Sequence, residues 1–482
     1  MTGVDPIREA RLLEKQGRFG EAVECYARGV ARSPQWANGW YNLALLQRKA
    51  RLFRAALDSY RKALDLGVAQ PEEGHVNRAV IFADDLRDHE AAERELEAAL
   101  SLNPSYVPAL INLANLYEDL GRRAAALATY ERILALDPVC WTALARYAGL
   151  CGRSEAGDAV IERLRQGMAA PGVSASDRAT LGFALGGALD ARGDYPGAFA
   201  AYSLANRLSR ESVPGALAHY DRSAHERLID RVIAAFPPDR PGLARRAPHP
   251  RPIFVCGMFR SGSTLIEQLL AGHPRIVAGG ELDIVPHIAR ERLAPFPEGA
   301  ASAPPGRIEE LREQYLRSLA GLFPGSEHVI DKRPDNFLNI GLIKRLFPEA
   351  KIVHTVRNAL DNCLSVFFLH LDQRMSYALD LMDIGHYYRE YRRLMAHWKS
   401  LWSDDIFDVD YDSLVRDPRG TMEPLLGFLG LEWDERCLAA NRSDRVIKTA
   451  SVWQAREPLY QSSSGRSRHY ASQLSALASY LG

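Results

Sequence analysis

Alanines that recur at a nearly constant interval are the feature that most constrains how the first half of the chain can fold. They lie 34, 36 and 34 residues apart, and a tyrosine or leucine follows each one after four residues. The pairs are Ala22 with Tyr26, Ala56 with Tyr60, Ala92 with Leu96, and Ala126 with Tyr130. Residues four apart share one face of a helix, so each pair marks a place where helices would cross. The interval therefore predicts short helix-turn-helix units that stack in series.

Three of these units end in proline, and the whole pattern resembles the tetratricopeptide repeat. The prolines are Pro34, Pro104 and Pro138. A degenerate stretch covers residues 140 to about 177, after which Ala198 and Tyr202 restore the pattern. One unit of this kind cannot bury its apolar face alone, so neighbouring units stack into a curved solenoid. The resemblance implies an all-α repeat array over residues 1–215.

The concave surface of such a solenoid is the expected place for a partner. The resemblance implies that an extended peptide or another protein would lie there. Asn42, Asn77 and Asn112 recur 35 residues apart on the first helices of successive units, and their amides could hydrogen-bond a peptide backbone. The alternative is ordinary polarity on exposed helix faces. Fold alone does not decide between the two, because one fold supports many functions.

Charge and cysteine usage exclude several classes of protein. The 482 residues include 60 basic and 60 acidic side chains, which argues against nucleic acid or an anionic membrane as a bulk electrostatic partner. The six cysteines are scattered without a C-x-x-C pair, so neither a disulfide framework nor a zinc site is expected. We find no secretory signal and no run of about 18–20 apolar residues. We therefore expect a cytoplasmic protein without a membrane segment, whose oligomeric state the sequence does not define.

The character of the chain changes across a connecting region, residues 216–250. This region combines an amphipathic helical pattern over residues 216–236 with a stretch rich in proline and arginine. Beyond it, through residues 251–482, β-branched runs alternate with helical segments. The runs are residues 253–256, 275–278, 328–330, 351–356 and 405–409. The alternation predicts an α/β domain with a central parallel sheet and helices on both faces.

The first predicted strand leads into a loop with phosphate-binding spacing. Gly257 and Gly262 frame the pattern G-x-x-x-x-G-x-[ST] ahead of a helix, so that backbone N–H groups and the helix dipole could meet one anion. Ser263 stands where a nucleotide triphosphatase carries lysine, and Arg357 follows a strand where such an enzyme carries aspartate. A metal-dependent phosphoryl transfer therefore lacks two of its parts. A sulfuryl group carries less charge than a phosphoryl group, so side-chain cations can stabilise its transfer without a metal.

Polar side chains also follow the other predicted strands. Glu281 comes after the second strand, and Asp331, Lys332 and Arg333 come after the third. Arg357 follows the fourth strand, with Ser365 on the next helix. Ligands of parallel sheets bind beyond the carboxyl ends of the strands. The arrangement therefore predicts one site with both acidic and basic groups.

Taken together, these residues resemble the sulfotransferase superfamily. The segment RSGST at residues 260–264, Glu281, and Arg357 with Ser365 carry the likeness, which extends over about residues 251–470. Within the superfamily, the chain is similar to tyrosylprotein sulfotransferases and to related bacterial proteins that join tetratricopeptide repeats to this domain. The resemblance implies a P-loop-like sulfotransferase domain, with 3′-phosphoadenosine-5′-phosphosulfate as donor and adenosine 3′,5′-bisphosphate as a product. No metal is expected.

The resemblance also implies a role for each matching position. The donor-binding residues would be Arg260, Ser261, Gly262, Ser263, Thr264, Arg357, Ser365, Tyr411, Thr449 and Arg468. Among these, Arg357 and Ser365 would bind the 3′-phosphate that ATP lacks. The catalytic residues would be Glu281, Arg260, Lys332 and Ser443. Glu281 would be the general base and Lys332 would lie near the bridging oxygen, while Ser443 or Thr449 would supply a hydroxyl.

Alternatives remain for two residues and for the acceptor. Glu281 could instead be a carboxylate at a helix start, and Lys332 could form a structural ion pair with Asp335. We expect the acceptor to be tyrosine or another hydroxyl on a peptide or protein held near the repeats. The alternatives are a carbohydrate, lipid or small phenol, or a non-catalytic repeat scaffold that binds nucleotide. Leu369 stands where tyrosylprotein sulfotransferases carry arginine, so the acceptor is less well defined than the donor.

Overall fold

The chain divides into two compact units, Met1–Leu150 and Cys151–Gly482. The computed structural model describes residues 6–151, 157–213, 215, 219–237, 249–371, 375–439 and 464–482. The division at residue 150 differs in position from the change in sequence pattern near residue 215. The helices that carry the last clear repeat therefore pack within the second unit, and the boundaries drawn from the sequence stay predictions.

The first unit is built from antiparallel pairs of helices, as the alanine interval predicts. Its helices are α1 (Pro6–Lys15), α2 (Phe19–Arg32), α3 (Ala37–Lys49), α4 (Phe53–Asp65), α5 (Pro71–Val80), α6 (His89–Leu102), α7 (Val107–Asp119), α8 (Arg123–Leu136) and α9 (Trp141–Cys151). The four recurring alanines have no exposed surface, and the large residues that follow them are buried. Gly121, whose φ of 74° lies in the left-handed region, forms the turn between α7 and α8. Small residues thus allow close helix crossings at a regular interval.

The three recurring asparagines lie on first helices of successive pairs, but their surroundings differ. Asn77 donates its amide to the hydroxyl of Tyr41 at 2.8 Å, and that hydroxyl donates to Glu73 at 2.7 Å. Asn112 donates its amide to the carbonyl of Pro108 one turn earlier, at 2.8 Å. These asparagines are therefore not equivalent, and two of them are already engaged within the unit.

Among the described residues of the second unit, four helices precede the sheet. They are α10 (Gly157–Ala169), α11 (Ala175–Ala191), α12 (Tyr195–Glu211) and α13 (Arg222–Ala235). In α12, Ala198 and Tyr202 are buried as the repeat pattern predicts. Helix α13 begins at Arg222 rather than at residue 216, because the carboxylate of Asp221 accepts the N–H of Ala224 at 2.8 Å and caps the helix there. The predicted residues 216–218 lie outside the described residues.

A parallel sheet of five strands forms the centre of the second unit. The strands are β1 (Arg251–Gly257), β2 (Ile276–Ala278), β3 (His328–Lys332), β4 (Ile352–Val356) and β5 (Ile406–Asp410). Their order across the sheet is β2-β3-β1-β4-β5, and every pairing is parallel. All five carboxyl ends therefore meet at one edge, beside the central strand β1. The helical repeats followed by this sheet confirm the predicted fold class.

Helices cover the sheet and complete its core. They are α14 (Ser263–Ala271), α15 (Ile284–His287), α16 (Glu298–Ser302), α17 (Pro305–Leu322), α18 (Ile340–Leu346), α19 (Ala359–Phe367), α20 (Leu381–Trp402), α21 (Tyr411–Arg416), α22 (Pro418–Phe428), α23 (Arg436–Ala439) and α24 (Ser475–Leu481). Val255, Ile330 and Val353 from adjacent strands pack in one buried cluster with residues of α14 and α22. None of the helices in the described part of the chain has the length and apolar character that crossing a bilayer requires.

Candidate active site

The loop between β1 and α14 depends on its two glycines. Gly262 lies just before α14 with a φ of 103°, and a Cβ there would lie 2.6 Å from Cδ2 of Tyr411. A Cβ on Gly257 would lie 2.5 Å from the carbonyl oxygen of Thr355 and 2.8 Å from Oγ of Ser261. Any larger residue at either position would push the loop away from its neighbours. The predicted phosphate-type loop is thus a tightly packed turn at the carboxyl end of the central strand.

Two arginines that the sequence predicts to bind the donor lie together at this loop. Arg260 has a φ of 70°, and its Nε donates to Oγ of Ser365 on α19 at 3.1 Å. Arg357, directly beyond β4, donates from Nη1 to the carbonyl oxygen of Arg260 at 3.1 Å. Its guanidinium carbon lies 4.8 Å from the ring centroid of Tyr411. The structure therefore brings Arg260, Arg357, Ser365 and Tyr411 together.

The hydroxyl residues of the loop differ in their surroundings. Ser261 is buried, and its Oγ lies 2.5 Å from Oγ1 of Thr355 on β4, so its side chain ties the loop to the sheet. Ser263 is also buried at the start of α14, and Thr264 beside it is half-buried. Ser261 therefore supports the loop through its side chain, while Ser263 and Thr264 occupy the first turn of the helix, where anions bind.

The basic segment that contains Arg468, residues 464–470, is called the late loop and is attached to α19. The carboxylate of Asp361 accepts the N–H groups of Gly465 and Ser467, both at 2.6 Å. Asp361 lies in the first turn of α19 and one helical turn before Ser365, so this attachment places the late loop beside the start of the helix that carries Ser365. The side chain of Arg468 is exposed and forms no hydrogen bond or ion pair with the residues that the structure describes.

Two predicted residues, Ser443 and Thr449, lie outside the described residues. Which of the two would supply a hydroxyl therefore stays a prediction. The other predicted positions all fall at the carboxyl edge of the sheet or on the late loop.

Glu281 and Lys332 form the ion pair at the other side of the loop. Nζ of Lys332, which is 1% exposed at the end of β3, lies 2.7 Å from Oε1 of Glu281. The side chain of Glu281 is 42% exposed, so this carboxylate faces both the ammonium group and solvent. A buried ammonium beside a solvent-accessible carboxylate is an arrangement that can accept a proton and stabilise developing negative charge.

The alternative structural roles of Lys332 and Glu281 are filled by other residues. Asp335 pairs with Arg333 at 3.0 Å, rather than with Lys332. Helix α15 begins at Ile284 with Asp283 just before it, so Glu281 lies ahead of the helix start. The interpretations of Lys332 as a partner of Asp335 and of Glu281 as a helix-start carboxylate do not match this geometry.

Glu267 is a functional candidate that sequence reasoning missed. It lies on α14, one turn after Ser263, and is 6% exposed. Its Oε1 accepts the N–H of Gly280 at 2.7 Å, and its Oε2 lies 3.9 Å from Nζ of Lys332. Glu267 thus holds the turn that carries Glu281 and gives Lys332 a second, buried counterion. The available signal was an acidic residue next to buried apolar residues in STLIEQLLA, which has no other charged residue.

Strand register places the two sides of the site next to each other. Val255 of β1 pairs with Lys332, and Gly257 of β1 pairs with Thr355 of β4. The ammonium group of Lys332 therefore lies at the end of β3, the neighbour of strand β1, which leads into the loop. In the described part of the chain, no group of three or more His, Cys, Asp or Glu side chains is arranged to hold a metal ion.

Asp331, next to Lys332 along β3, belongs to a separate buried cluster. Burial raises the pKa of its carboxyl group to about 7, while the hydroxyl of Tyr315, donating to Oδ2 at 2.9 Å, acts in the opposite direction. Successive side chains of a strand point to opposite faces, so Asp331 and Lys332 face different sides of the sheet. Asp331 is therefore a structural neighbour of the site rather than part of it.

Comparison with known proteins identifies both halves of the chain. Residues 252–435 match the sequence model of the sulfotransferase family. Residues 7–72 and 85–151 match two models of the tetratricopeptide repeat. The chain therefore carries tetratricopeptide repeats followed by a domain of the sulfotransferase family, as the sequence motifs predict.

Curated relatives include proteins with and without an assigned activity. A protein of Aquifex aeolicus (strain VF5), described only as an uncharacterized protein, is 31% identical over 85% of this chain and 54% of its own length. Protein-tyrosine sulfotransferase 2 of Gallus gallus is 24% identical over 39% of this chain and 53% of its own length. The chain thus spans about half the length of the curated relatives that it matches.

Among solved structures, the sulfotransferase domain from the olefin synthase of Synechococcus PCC 7002 is similar to part of this chain. The two share 23% sequence identity with a TM-score of 0.35, over 47% of this chain and 91% of that domain.

Proposed function

We propose that the protein transfers the sulfuryl group of 3′-phosphoadenosine-5′-phosphosulfate to a hydroxyl acceptor. The observation that carries this proposal is the Glu281–Lys332 pair beside a phosphate-type loop without lysine. A domain that only binds nucleotide needs the loop but has no use for a solvent-accessible carboxylate on a buried ammonium group. The family match of residues 252–435 supports the same reaction class.

The residues at the loop fit the proposed donor. The close approach of Gly262 to Tyr411 leaves a narrow cradle that a side chain would fill, and the first turn of α14 offers backbone N–H groups to a 5′-phosphate. Arg357, Ser365 and the exposed Arg468 provide the donors that a 3′-phosphate requires. A planar guanidinium suits a phosphate group because it can donate two parallel hydrogen bonds.

The proposed reaction is a single in-line displacement. The acceptor oxygen forms a bond to sulfur while the bond between sulfur and the bridging phosphate oxygen breaks. The electron pair of the broken bond stays with adenosine 3′,5′-bisphosphate, and the acceptor proton passes to the carboxylate of Glu281. A carboxylate is sufficient as the base because the hydroxyl becomes strongly acidic only as the transition state forms.

Two cations stabilise the charge that develops on the leaving group. Lys332 is held 2.7 Å from Glu281 and 3.9 Å from Glu267, so the ammonium keeps a carboxylate neighbour when Glu281 takes up the proton. Arg260, fixed on Ser365, lies within the loop itself. Such preorganised charges lower the barrier because they need no rearrangement during the reaction.

We propose tyrosine or another hydroxyl on a peptide or protein as the acceptor, held near the repeats. Tetratricopeptide repeats bind peptides and proteins in many unrelated assemblies. Relatives from several animals are named as protein-tyrosine sulfotransferases, which supports the phenolic acceptor. The exposed part of the Glu281 side chain also leaves room for a large acceptor to approach.

The experiment that tests this function offers ³⁵S-labelled donor to the purified full-length chain together with a bacterial lysate. Labelled species are then separated into protein, carbohydrate, lipid and small-molecule fractions and identified by mass spectrometry. We expect label on tyrosine or another hydroxyl residue of a protein. Label in another fraction would overturn the acceptor assignment, and the absence of any labelled product with intact donor would favour a scaffold that binds nucleotide without turnover.

A further inference from the structure

Asp190, near the end of α11, contacts the late basic loop through both of its carboxylate oxygens. Oδ2 forms an ion pair with Nη2 of Arg466 at 2.5 Å, and Oδ1 accepts the hydroxyl of Tyr470. Burial raises the pKa of the Tyr470 hydroxyl, so this group remains a hydrogen-bond donor at physiological pH. A helix that precedes the sheet by 60 residues of sequence thus holds a loop near the carboxyl terminus.

Aromatic packing fixes the same contact from the side of α12. The guanidinium of Arg466 lies 5.2 Å from the ring centroid of Phe368, and this ring is stacked on Tyr202 with centroids 3.9 Å apart. The amide of Asn206 donates to the carbonyl oxygen of Phe367 at 2.9 Å. Helix α12 therefore covers the carboxyl end of α19, the helix that carries Ser365.

The two arginines of the late loop consequently have different environments. Arg466 is engaged by Asp190 and by an aromatic ring, whereas Arg468, two residues later, is exposed. Asp361 holds the backbone of this loop, and Asp190 holds its side chains. Two carboxylates from separate helices thus fix a short turn that leaves Arg468 facing solvent.

We propose that Asp190 is a positioning residue of the donor site, which it serves by holding the late loop so that Arg468 can bind the 3′-phosphate. This inference rests on the proposed function, because it assigns the exposed arginine to the donor. It adds that helices with repeat character form part of the donor-binding unit. Without the Asp190 carboxylate, Arg466 loses its counterion inside a partly buried pocket, and the loop no longer holds one conformation.

Calorimetry with the full-length chain tests this role. The binding of adenosine 3′,5′-bisphosphate and of adenosine 5′-monophosphate is measured for the wild type, Asp190→Asn, Arg468→Ala and the double variant. We expect Asp190→Asn to weaken bisphosphate binding about tenfold, with monophosphate binding changed less than about twofold. In the double variant the two losses should not add, because both act through Arg468.

Two further variants keep the test independent of folding defects. Asp158→Asn removes the carboxylate that pairs with Arg192 at the surface of the same unit, and it should change neither affinity. Tyr470→Phe removes one of the two Asp190 contacts while preserving the ion pair, and it should give a smaller loss with the same selectivity. Thermal unfolding of each variant reports whether it folds.

The outcomes separate this inference from the function on which it rests. If the wild type fails to prefer the bisphosphate, the donor assignment and the role of Asp190 both fall. If the wild type prefers the bisphosphate and Asp190→Asn keeps that preference, the role of Asp190 alone is wrong. Equal weakening of both ligands, or additive losses in the double variant, would also contradict it.

Discussion

The two sides of the candidate site use their cations differently. On the donor side, Arg260 donates to a hydroxyl, and Arg357 donates to a carbonyl oxygen and lies over a phenol ring. On the transfer side, Lys332 lies between the carboxylates of Glu281 and Glu267. In the proposed reaction, the first arrangement would orient positive charge toward an anionic ligand, whereas the second would keep one buried charge paired throughout a proton transfer.

This difference shows what the buried lysine needs that the arginines do not, namely a counterion that stays charged during the reaction. A buried ammonium is costly unless it has a counterion, and a counterion that must also accept a proton cannot serve continuously. Glu267 resolves the conflict because its buried carboxylate is fixed by the N–H of Gly280 and stays near Lys332. The comparison can be tested by altering each side separately.

The largest effect is expected for Glu281→Gln. This change removes the proposed base while keeping its size, so the rate of sulfuryl transfer should fall by about 10²–10⁴-fold. Binding of adenosine 3′,5′-bisphosphate should stay within about threefold of the wild type, because the donor side is intact. Steady-state transfer assays and calorimetry measure the two quantities. Glu313→Gln, an exposed glutamate on α17, is the matched control, and transfer at the normal rate by Glu281→Gln would exclude this base.

Arg357→Gln alters the donor side alone. Loss of one charged contact to the 3′-phosphate should weaken bisphosphate binding by about 10–100-fold, with a much smaller effect on adenosine 5′-monophosphate. Competition calorimetry gives both affinities, and Arg317→Gln on α17 provides an exposed control. A uniform loss for both ligands would mean that Arg357 shapes the loop through the carbonyl of Arg260 and does not read the 3′-phosphate.

Asp331 lies outside the candidate site, and its raised pKa predicts an effect on the pH dependence of stability. Its pKa is raised to about 7 in the folded chain, so between about pH 4 and pH 7 the folded state binds one more proton than the unfolded state. The stability that this group contributes is fully present below about pH 4 and is lost progressively as the pH rises to about 7, by up to about 1.4 kcal/mol per pH unit. Denaturant unfolding from pH 5 to pH 8 should show a shallower pH dependence for Asp331→Asn. Identical slopes for wild type and variant would contradict the raised pKa.

The smallest effect is expected for Glu267→Gln. The amide oxygen can still accept the N–H of Gly280, but the permanent negative charge beside Lys332 is lost. Turnover should fall by only about three- to tenfold, which corresponds to roughly 1 kcal/mol of transition-state stabilisation, with bisphosphate affinity unchanged. Glu267→Ala should in addition lower stability by about 1–3 kcal/mol, because it leaves a buried N–H unsatisfied. Full turnover in Glu267→Gln would show that the second counterion is dispensable.

The architecture could be read largely from the sequence because it depends on patterns that repeat locally. The buried alanines, the five β-branched runs and the glycines at 257 and 262 all appear where the structure has helix crossings, strands and a tight loop. No local sequence pattern indicates that Glu281 pairs with Lys332. It arises because β2 and β3 are neighbours in the sheet, although 51 residues separate the two side chains.

Other contacts could not be predicted from the sequence, because they also join segments that are far apart in the chain. Glu267 lies in the middle of α14, and the folded chain brings the N–H of Gly280 to its carboxylate. Asp190 lies near the end of α11, and the folded chain brings Arg466 beside it. The contact between the hydroxyls of Ser261 and Thr355 was likewise not visible in the sequence, while the role of Ser261 in binding the donor stays a prediction. Such pairings depend on tertiary structure and leave no periodic signal.

A loop without lysine that serves a donor with a 3′-phosphate should distinguish adenine nucleotides by that phosphate. Calorimetry of the wild-type chain compares adenosine 3′,5′-bisphosphate with adenosine 5′-monophosphate and ATP under identical salt. We expect the bisphosphate to bind at least about tenfold more tightly than either of the others, because Arg357, Ser365 and Arg468 would meet only its 3′-phosphate. Equal affinities, or a preference for ATP, would contradict it.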